Sequence, residues 1–354
     1  MTPELGVIEG YYGKPWSPAE RIAVIDRLAA AGYEFFHYAP KFDSHLRRDW
    51  RGDHSPEDWD ELARLARHCA GRAVRFGVGL SPYNAHLAFD AATRRALAAK
   101  LRKLDTLGLH DLAILFDDMR GDLVDLAERQ AEIVAFCQDH SAVSRFFVCP
   151  SYYSDDPVLD RVFGARPSAY LETFGRLIDP QVSIYWTGEQ VCSPEISVGH
   201  LRTVAQQLGR KVCLWDNYPV NDGPIMSNYL HLRGFTGRSA EIARWITGHA
   251  INPAVQPTLS CIPALTLIDL YRQGEDYSYF AAFVTAAKKV CGSELANLLR
   301  NDLLTLQGQG LDRLGARREK LLTRYSAIAH PAASEVTAWL AGEYAITGEA
   351  LLTQ

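Results

Sequence analysis

Short apolar runs recur along the chain at intervals of roughly 30–40 residues, the length of a strand, a helix and their loops. They are LGVIEG ending near Gly10, EFFHYAP ending near Lys41, VRFGVGLSP ending near Pro82 and LAILFDD ending at Asp118. RFFVCPSYY ending near Tyr153, VSIYWTG ending at Gly188 and KVCLWDN ending at Asn217 continue the series. An eighth, weaker run surrounds HAINP and ends at Asn252. The runs are continuous instead of alternating, as expected of strands buried on both faces.

Helical patterns lie between them. Ser17-Pro18-Ala19-Glu20 combines an N-cap serine, a proline at the first helical position and a glutamate three residues past the cap. Ser55-Pro56-Glu57-Asp58 repeats the device, and Leu97, Leu101 and Leu104 form an i, i+4, i+7 stripe with Gly108 as a C-cap candidate. Strands alternating with helices over about 250 residues predict an α/β fold, a (β/α)8 TIM-type barrel. The rival, an open doubly wound sheet, lacks the GxGxxG turn after the first strand. From about Cys261 the strand signals stop, and IPALTLIDLYRQ, YFAAFVTAAKKV, ELANLLRNDLLTL and SEVTAWLAGEYA read as successive amphipathic helices. The expected division is a catalytic barrel over 1–260 and a C-terminal helical region over 261–354, packed on the barrel.

Composition narrows the function classes. Of 354 residues, 47% are hydrophobic and 22% charged, an ordinary globular balance that can bury a large core. The net charge of −5 and the lack of a basic stripe with interleaved aromatics argue against nucleic acid as the partner. No basic-then-apolar leader and no run of 18 apolar residues is visible, so neither a signal peptide nor a membrane span is expected. The seven cysteines are scattered and never form CxxC, and the histidines show neither HExxH nor HxH spacing. These patterns predict free thiols in a reducing, cytoplasmic setting, and no metal or other cofactor.

Barrel proteins build their sites from several strand ends at once. Here the runs end in Gly10, Lys41, Asp117, Asp118, Tyr153, Thr187, Asn217 and Asn252. Any one of these could be a loop residue and nothing more, but Asp117 directly follows the apolar Ile-Leu-Phe of LAILFDD. A carboxylate there is costly to desolvate without a partner or a task. Two adjacent carboxylates suit acid–base work if their surroundings separate their protonation states. They fit poorly the usual glycosidase pair, which flanks the scissile bond, and fit better a substrate that supplies its own nucleophile. Tyr11, Tyr12, Tyr152, Tyr153, Trp186 and Trp215 lie near the same ends and could stack sugar faces, although Trp186 and Trp215 taken alone read as core.

The chain resembles glycoside hydrolase family 84, the O-GlcNAcase-like β-N-acetylglucosaminidases. The matching stretches are GVIEGYYGKPWS, YAPKFDSHLRRDWR, LAILFDDM, VCPSYY, YWTGEQVCSPEIS, LWDNYPVNDG, GFTGRSAEI and INP, in family order over the whole expected barrel. The resemblance implies a retaining, metal-independent exo-hydrolase acting on β-linked N-acetylglucosamine of a protein or glycan, through substrate-assisted catalysis and an oxazoline intermediate. Asp118 would be the general acid and then the base. Asp117 would accept the hydrogen bond of the acetamido N–H, and Tyr153 would bond the acetamido or leaving-group region. Asn217 would hold the acetamido end, with Thr187 and Trp215 shaping the pocket, while Gly10, Lys41, Asp222 and Asn252 would hold sugar hydroxyls. Two departures stand out: Phe42 follows the lysine where many relatives have an acid, and Gly223 follows Asp222 where some have a tyrosine.

Three other readings remain open on the residues. A non-catalytic sugar-binding barrel would be favoured by loss of Asp117, Asp118 or Tyr153, all of which are present. A deacetylase needs metal-ligand spacing that the sequence lacks. An endo-acting, hyaluronidase-like hydrolase needs a pocket left open where Asp222 would close it.

Overall fold

The structure, a computed structural model, describes residues 2–346. Its centre is a closed, all-parallel barrel of eight strands in sequence order. They are β1 (Glu4–Glu9), β2 (Phe35–Tyr38), β3 (Arg75–Leu80), β4 (Asp111–Leu115), β5 (Arg145–Cys149), β6 (Ser183–Trp186), β7 (Val212–Asp216) and β8 (Ile246–Ile251). Pairing of β1 with β8, Val7 opposite Ile251, closes the ring and rules out the open sheet. Ile8, Val78, Ile114, Val148 and Leu214 are fully buried, which explains why the runs do not alternate.

Every strand stops short of its apolar run. The apolar character continues because the loops roof the barrel: Phe116 and Tyr152, both beyond strand ends, are fully buried. Hydrophobicity therefore does not mark where pairing stops. Asp117 and Asp118 accordingly stand in a turn after β4 and not on the strand itself, and Asp118 takes the left-handed conformation at φ +58°. Aspartate is one of the few non-glycine residues that visit this region.

The helices follow the predicted starts. α1 (Pro18–Ala29) opens with a complete capping box between Ser17 and Glu20, and α2 (Pro56–Gly71) opens on Ser55, whose side chain accepts from Asp58 N–H. In α3 (Ala91–Asp105), Leu97, Leu101 and Leu104 are buried as a stripe. The helix is capped at Thr106, and Gly108 takes the left-handed turn two residues later, at φ +66°. α4 (Leu126–His140) follows β4, the short α5 (Pro157–Phe163) and α6 (Tyr170–Leu177) share the β5 connection, and α7 (Val198–Leu208) follows β6. The β7–β8 connection departs from the pattern of one helix per strand. It holds only α8 (Gly223–Met226) and a 3-10 turn over Ala240–Arg244, which leaves a long loop across the barrel mouth.

After β8, α9 (Pro257–Gln273) packs on α1 and completes the ring, crossing the expected boundary at 260/261. α10 (Tyr279–Leu304) packs on α9 and is broken by Gly292, at φ +77°; α11 (Arg317–Ser326) and α12 (Pro331–Ala341) pair with each other. Glu335 of α12 accepts the N–H groups of Thr258 and Leu259 at 2.8 Å each, capping the start of α9 where Gln256 supplies no side-chain cap. Burial nevertheless pushes this carboxyl up to about 7. Among the described residues no helix is long and apolar enough to cross a membrane.

Candidate active site at the strand ends

At the C-terminal end of the barrel, a pocket of about 490 Å³, its open mouth included, is lined by Gly10, Lys41, Asp117, Asp118, Tyr153, Thr187, Trp215, Asn217, Asp222 and Asn252. The strand-end residues named from the sequence, with Trp215 and Asp222, thus meet the same cavity, delivered from strand ends and the loops after them. Tyr12, Cys149, Val191, Cys192 and Val220 complete the lining.

The two adjacent aspartates have unlike surroundings. Asp117, 5% exposed, forms a buried ion pair with Lys41 through Oδ2, while its Oδ1 is buried and has no hydrogen-bond partner among the described residues. Asp118 is more open and accepts two phenols, Tyr12 at 2.7 Å on Oδ2 and Tyr153 at 3.2 Å on Oδ1. Desolvation, reinforced by the carboxylate of Asp118, holds both tyrosines well above the ordinary phenol range, so both stay protonated donors. The left-handed turn at Asp118 lets two successive carboxylates reach different partners inside one pocket.

The far wall is a chain of amides. Gly10 N–H donates to Asn252 Oδ1 at 3.2 Å, and Asn252 Nδ2 donates to Asn217 Oδ1 at 2.9 Å. Asn217 Oδ1 also receives Trp215 Nε1 at 3.1 Å, and Asn217 Nδ2 donates to Val191 O at 2.7 Å. Gly10 is required by close approach, since a Cβ there would stand 2.2 Å from the Trp215 ring. Trp215 is therefore wall as well as core. Trp186 is core alone, fully buried with Nε1 bonded to His200. Thr187 turns its hydroxyl to Gln190 O at 3.0 Å and so bounds the pocket with its loop.

Asp222 stands on the β7–β8 loop and accepts Tyr12 N–H at 2.7 Å. Burial, helped by the charge of Asp118, pushes its carboxyl up to about 7. Gly223 beside it has φ +82°, a conformation that a tyrosine would hold only under strain. Phe42 does not line this pocket.

Beneath the wall, Arg238 bonds Asp216 through two nitrogens at 2.6 and 2.7 Å and also donates to the carbonyls of Ser193, Pro194 and Thr236. His249 Nε2 lies 2.9 Å from the same carboxylate. Burial alone would raise Asp216, but Arg238 and His249 outweigh it and bring the group down to about 2. This buried network pins the loops bearing Asn217 and Cys192 to β7. Arg238 lies in GFTGRSAEI, a stretch whose pattern assigns it no role, and only the fold pairs it with Asp216. Tyr12 was visible as one of several aromatics near the strand ends; its link to Asp118 was not.

A closed parallel barrel whose strand ends converge on one polar pocket defines a (β/α)8-barrel protein with its site at the C-terminal face. The family model for beta-N-acetylglucosaminidase matches residues 5–303. The chain belongs to this family, the glycoside hydrolases of family 84 that include the O-GlcNAcases. It is 28% identical over 279 residues to Protein O-GlcNAcase of Mus musculus and of Rattus norvegicus, matches that cover 75% of this chain. The chain spans about 30% of the length of those curated relatives. Its fold is also similar to an aspartate-to-asparagine mutant of Thermobaculum terrenum O-GlcNAc hydrolase, with TM-score 0.80 and 25% identity over 97% of this chain and 81% of that one.

Proposed function

We propose that the chain is a retaining exo-β-N-acetylglucosaminidase of the O-GlcNAcase type, working by substrate-assisted catalysis. The observation that carries this reading is the pair of consecutive aspartates with unlike partners, Asp117 tied to Lys41 and Asp118 held between two phenols.

In the first step Asp118 gives its proton to the glycosidic oxygen as the C1–O bond breaks. The acetamido oxygen of the same sugar attacks C1 and closes an oxazolinium ring. Asp117 accepts the acetamido N–H on its unpartnered Oδ1, which turns the oxygen toward C1 and stabilises the positive charge that develops on nitrogen. In the second step Asp118, now ionised, takes a proton from water as that water attacks C1 and reopens the ring. Two displacements at C1 retain the anomeric configuration. No third carboxylate across the ring is needed, which suits adjacent aspartates.

Lys41 pairs with Asp117 and has further ammonium hydrogens for a sugar hydroxyl. Asn217, fixed by Trp215, Asn252 and Val191, supports the acetamido end, and Tyr153 faces the acetamido and leaving-group side. Asp222, Asn252 and the Gly10 backbone meet the remaining hydroxyls. Asp222 closes the pocket from the β7–β8 loop and favours removal of single terminal residues over internal cleavage. Seven unpaired cysteines support a reducing, cytoplasmic setting.

The test is hydrolysis of an aryl β-N-acetylglucosaminide, with the matching β-glucoside as control. Cleavage of the first and not the second is expected, because the glucoside lacks the internal nucleophile. Binding of N-acetylglucosamine without cleavage of either would overturn the reading in favour of a sugar-binding barrel.

A further inference from the structure

Phe42, one of the two positions at which the chain departs from its family resemblance, lies away from the catalytic pocket. It is 42% exposed and lines a separate groove of about 1140 Å³, bounded by the opening turns of α1 and α2 and by the β2–α2 loop. The backbone ties the two cavities together, since Lys41 meets one and Phe42 and Asp43 meet the other.

At the base of the groove is a buried ring nitrogen with no hydrogen-bond partner among the described residues. Asp43 receives Tyr38 O–H at 3.1 Å and His45 N–H at 3.1 Å, and both of its oxygens lie 2.9–3.0 Å from His54 Nε2. The two Asp43 oxygens both face Nε2, which leaves Nδ1 as the other polar atom of the ring. The His54 side chain is only 4% exposed, and its Nδ1 has no hydrogen-bond partner among the described residues. Such an atom calls for a hydrogen-bonding group from a ligand.

The surrounding charges define what that ligand is. Asp58 and Glu61 add acceptors, so an anion is disfavoured. Arg64 and Arg21, paired with Glu61 and Glu9, disfavour a cation. An exposed aromatic ring beside polar groups of both signs fits a neutral, hydroxyl-rich molecule with one apolar face. We infer that the groove between α1 and α2 is a second saccharide-binding site, in which a neutral sugar residue stacks on Phe42 and hydrogen-bonds His54 Nδ1 through a hydroxyl.

The test is a ligand-observed NMR titration of the full chain with lactose, maltose and N-acetyllactosamine, none of which carries terminal β-linked N-acetylglucosamine. It is repeated on Phe42→Ala, Phe42→Tyr and Asp222→Asn. At least one saccharide is expected to bind, about tenfold more weakly in Phe42→Ala. Binding should be kept in Phe42→Tyr and in Asp222→Asn, and hydrolysis of an aryl β-N-acetylglucosaminide should be unchanged in Phe42→Ala. Loss of binding in Asp222→Asn with none in Phe42→Ala would assign the sugar to the catalytic pocket and overturn the inference. So would no binding of any of the three sugars, or binding of spermidine in preference to them. Failure of the wild-type chain to hydrolyse the aryl substrate would count against the proposed activity and leave this site standing.

Discussion

Tyr12 joins the two acidic ends of the pocket: its hydroxyl donates to Asp118 Oδ2 at 2.7 Å while its backbone N–H donates to Asp222 Oδ2 at 2.7 Å. The residue thus aligns the proposed acid with the loop that closes over the sugar. Tyr12→Phe keeps the backbone bond and the ring and removes only the hydroxyl. A hydrogen bond to a charged group is worth about 1.5–3 kcal/mol, so kcat/KM should fall roughly 10- to 100-fold on substrates with poor leaving groups. The fall should be smaller on activated aryl glycosides, which lean less on the acid. A leaving-group series measured on both proteins checks this, and parallel plots would reduce Tyr12 to a packing residue.

Asp118→Asn and Asp117→Asn should fail differently. Without its acid the first should lose about 10²- to 10⁴-fold on poor leaving groups and retain much of its rate on activated ones. The second removes the carboxylate that steadies the forming oxazolinium, so both substrate types should slow, by about 10²- to 10³-fold. Equal losses across both substrates in both variants would overturn the division of labour between the aspartates.

The barrel was legible because strands buried on both faces leave continuous apolar runs, and Ser17, Pro18 and Glu20 mark a helix start by local chemistry alone. Strand ends were less legible, since Phe116 and Tyr152 are as buried in their loops as any strand residue. The Lys41–Asp117 pair joins positions 76 apart and Gly10 meets Asn252 across 242, contacts that only ring closure creates. No local signal announces them. The β7–β8 connection reads as a helix only under the rule of one helix per strand, and Gly223 and Pro224 instead open a single short turn.

Asp222 gives the pocket a titration near neutrality. Its carboxyl is pushed up to about 7, so it ionises as the pH rises through that value. The charged form accepts hydroxyl hydrogens more strongly, and KM for an aryl β-N-acetylglucosaminide should therefore fall between pH 6 and pH 8. Asp222→Asn should abolish this inflection. The stability effect has the opposite sense: a carboxyl whose folded pKa lies above its unfolded value near 3.8 binds its proton more tightly when folded. Its contribution is present at low pH and is lost as the pH rises toward 7. A denaturation midpoint that declines from pH 4 to pH 7 in the wild type, and less so in Asp222→Asn, is the expected pair of curves.

Asp216 behaves in the reverse sense and anchors the loops that form the pocket wall. Arg238 and His249 bring it down to about 2, below its unfolded value of 3.8. Its stabilisation is complete above that unfolded value and is lost as the pH falls through about 2, an amount of roughly 2–3 kcal/mol. Arg238→Met should cost about 3–5 kcal/mol at pH 7, because it strands a buried carboxylate and frees the carbonyls of Ser193, Pro194 and Thr236. Asp216→Asn in that background should recover part of the loss, since no buried charge then remains to be paired. Urea midpoints of the two single variants and the double variant measure this coupling. If the losses simply add, the network is not the unit that holds the β7–β8 loop, and Asn217 must owe its orientation to Trp215, Asn252 and Val191.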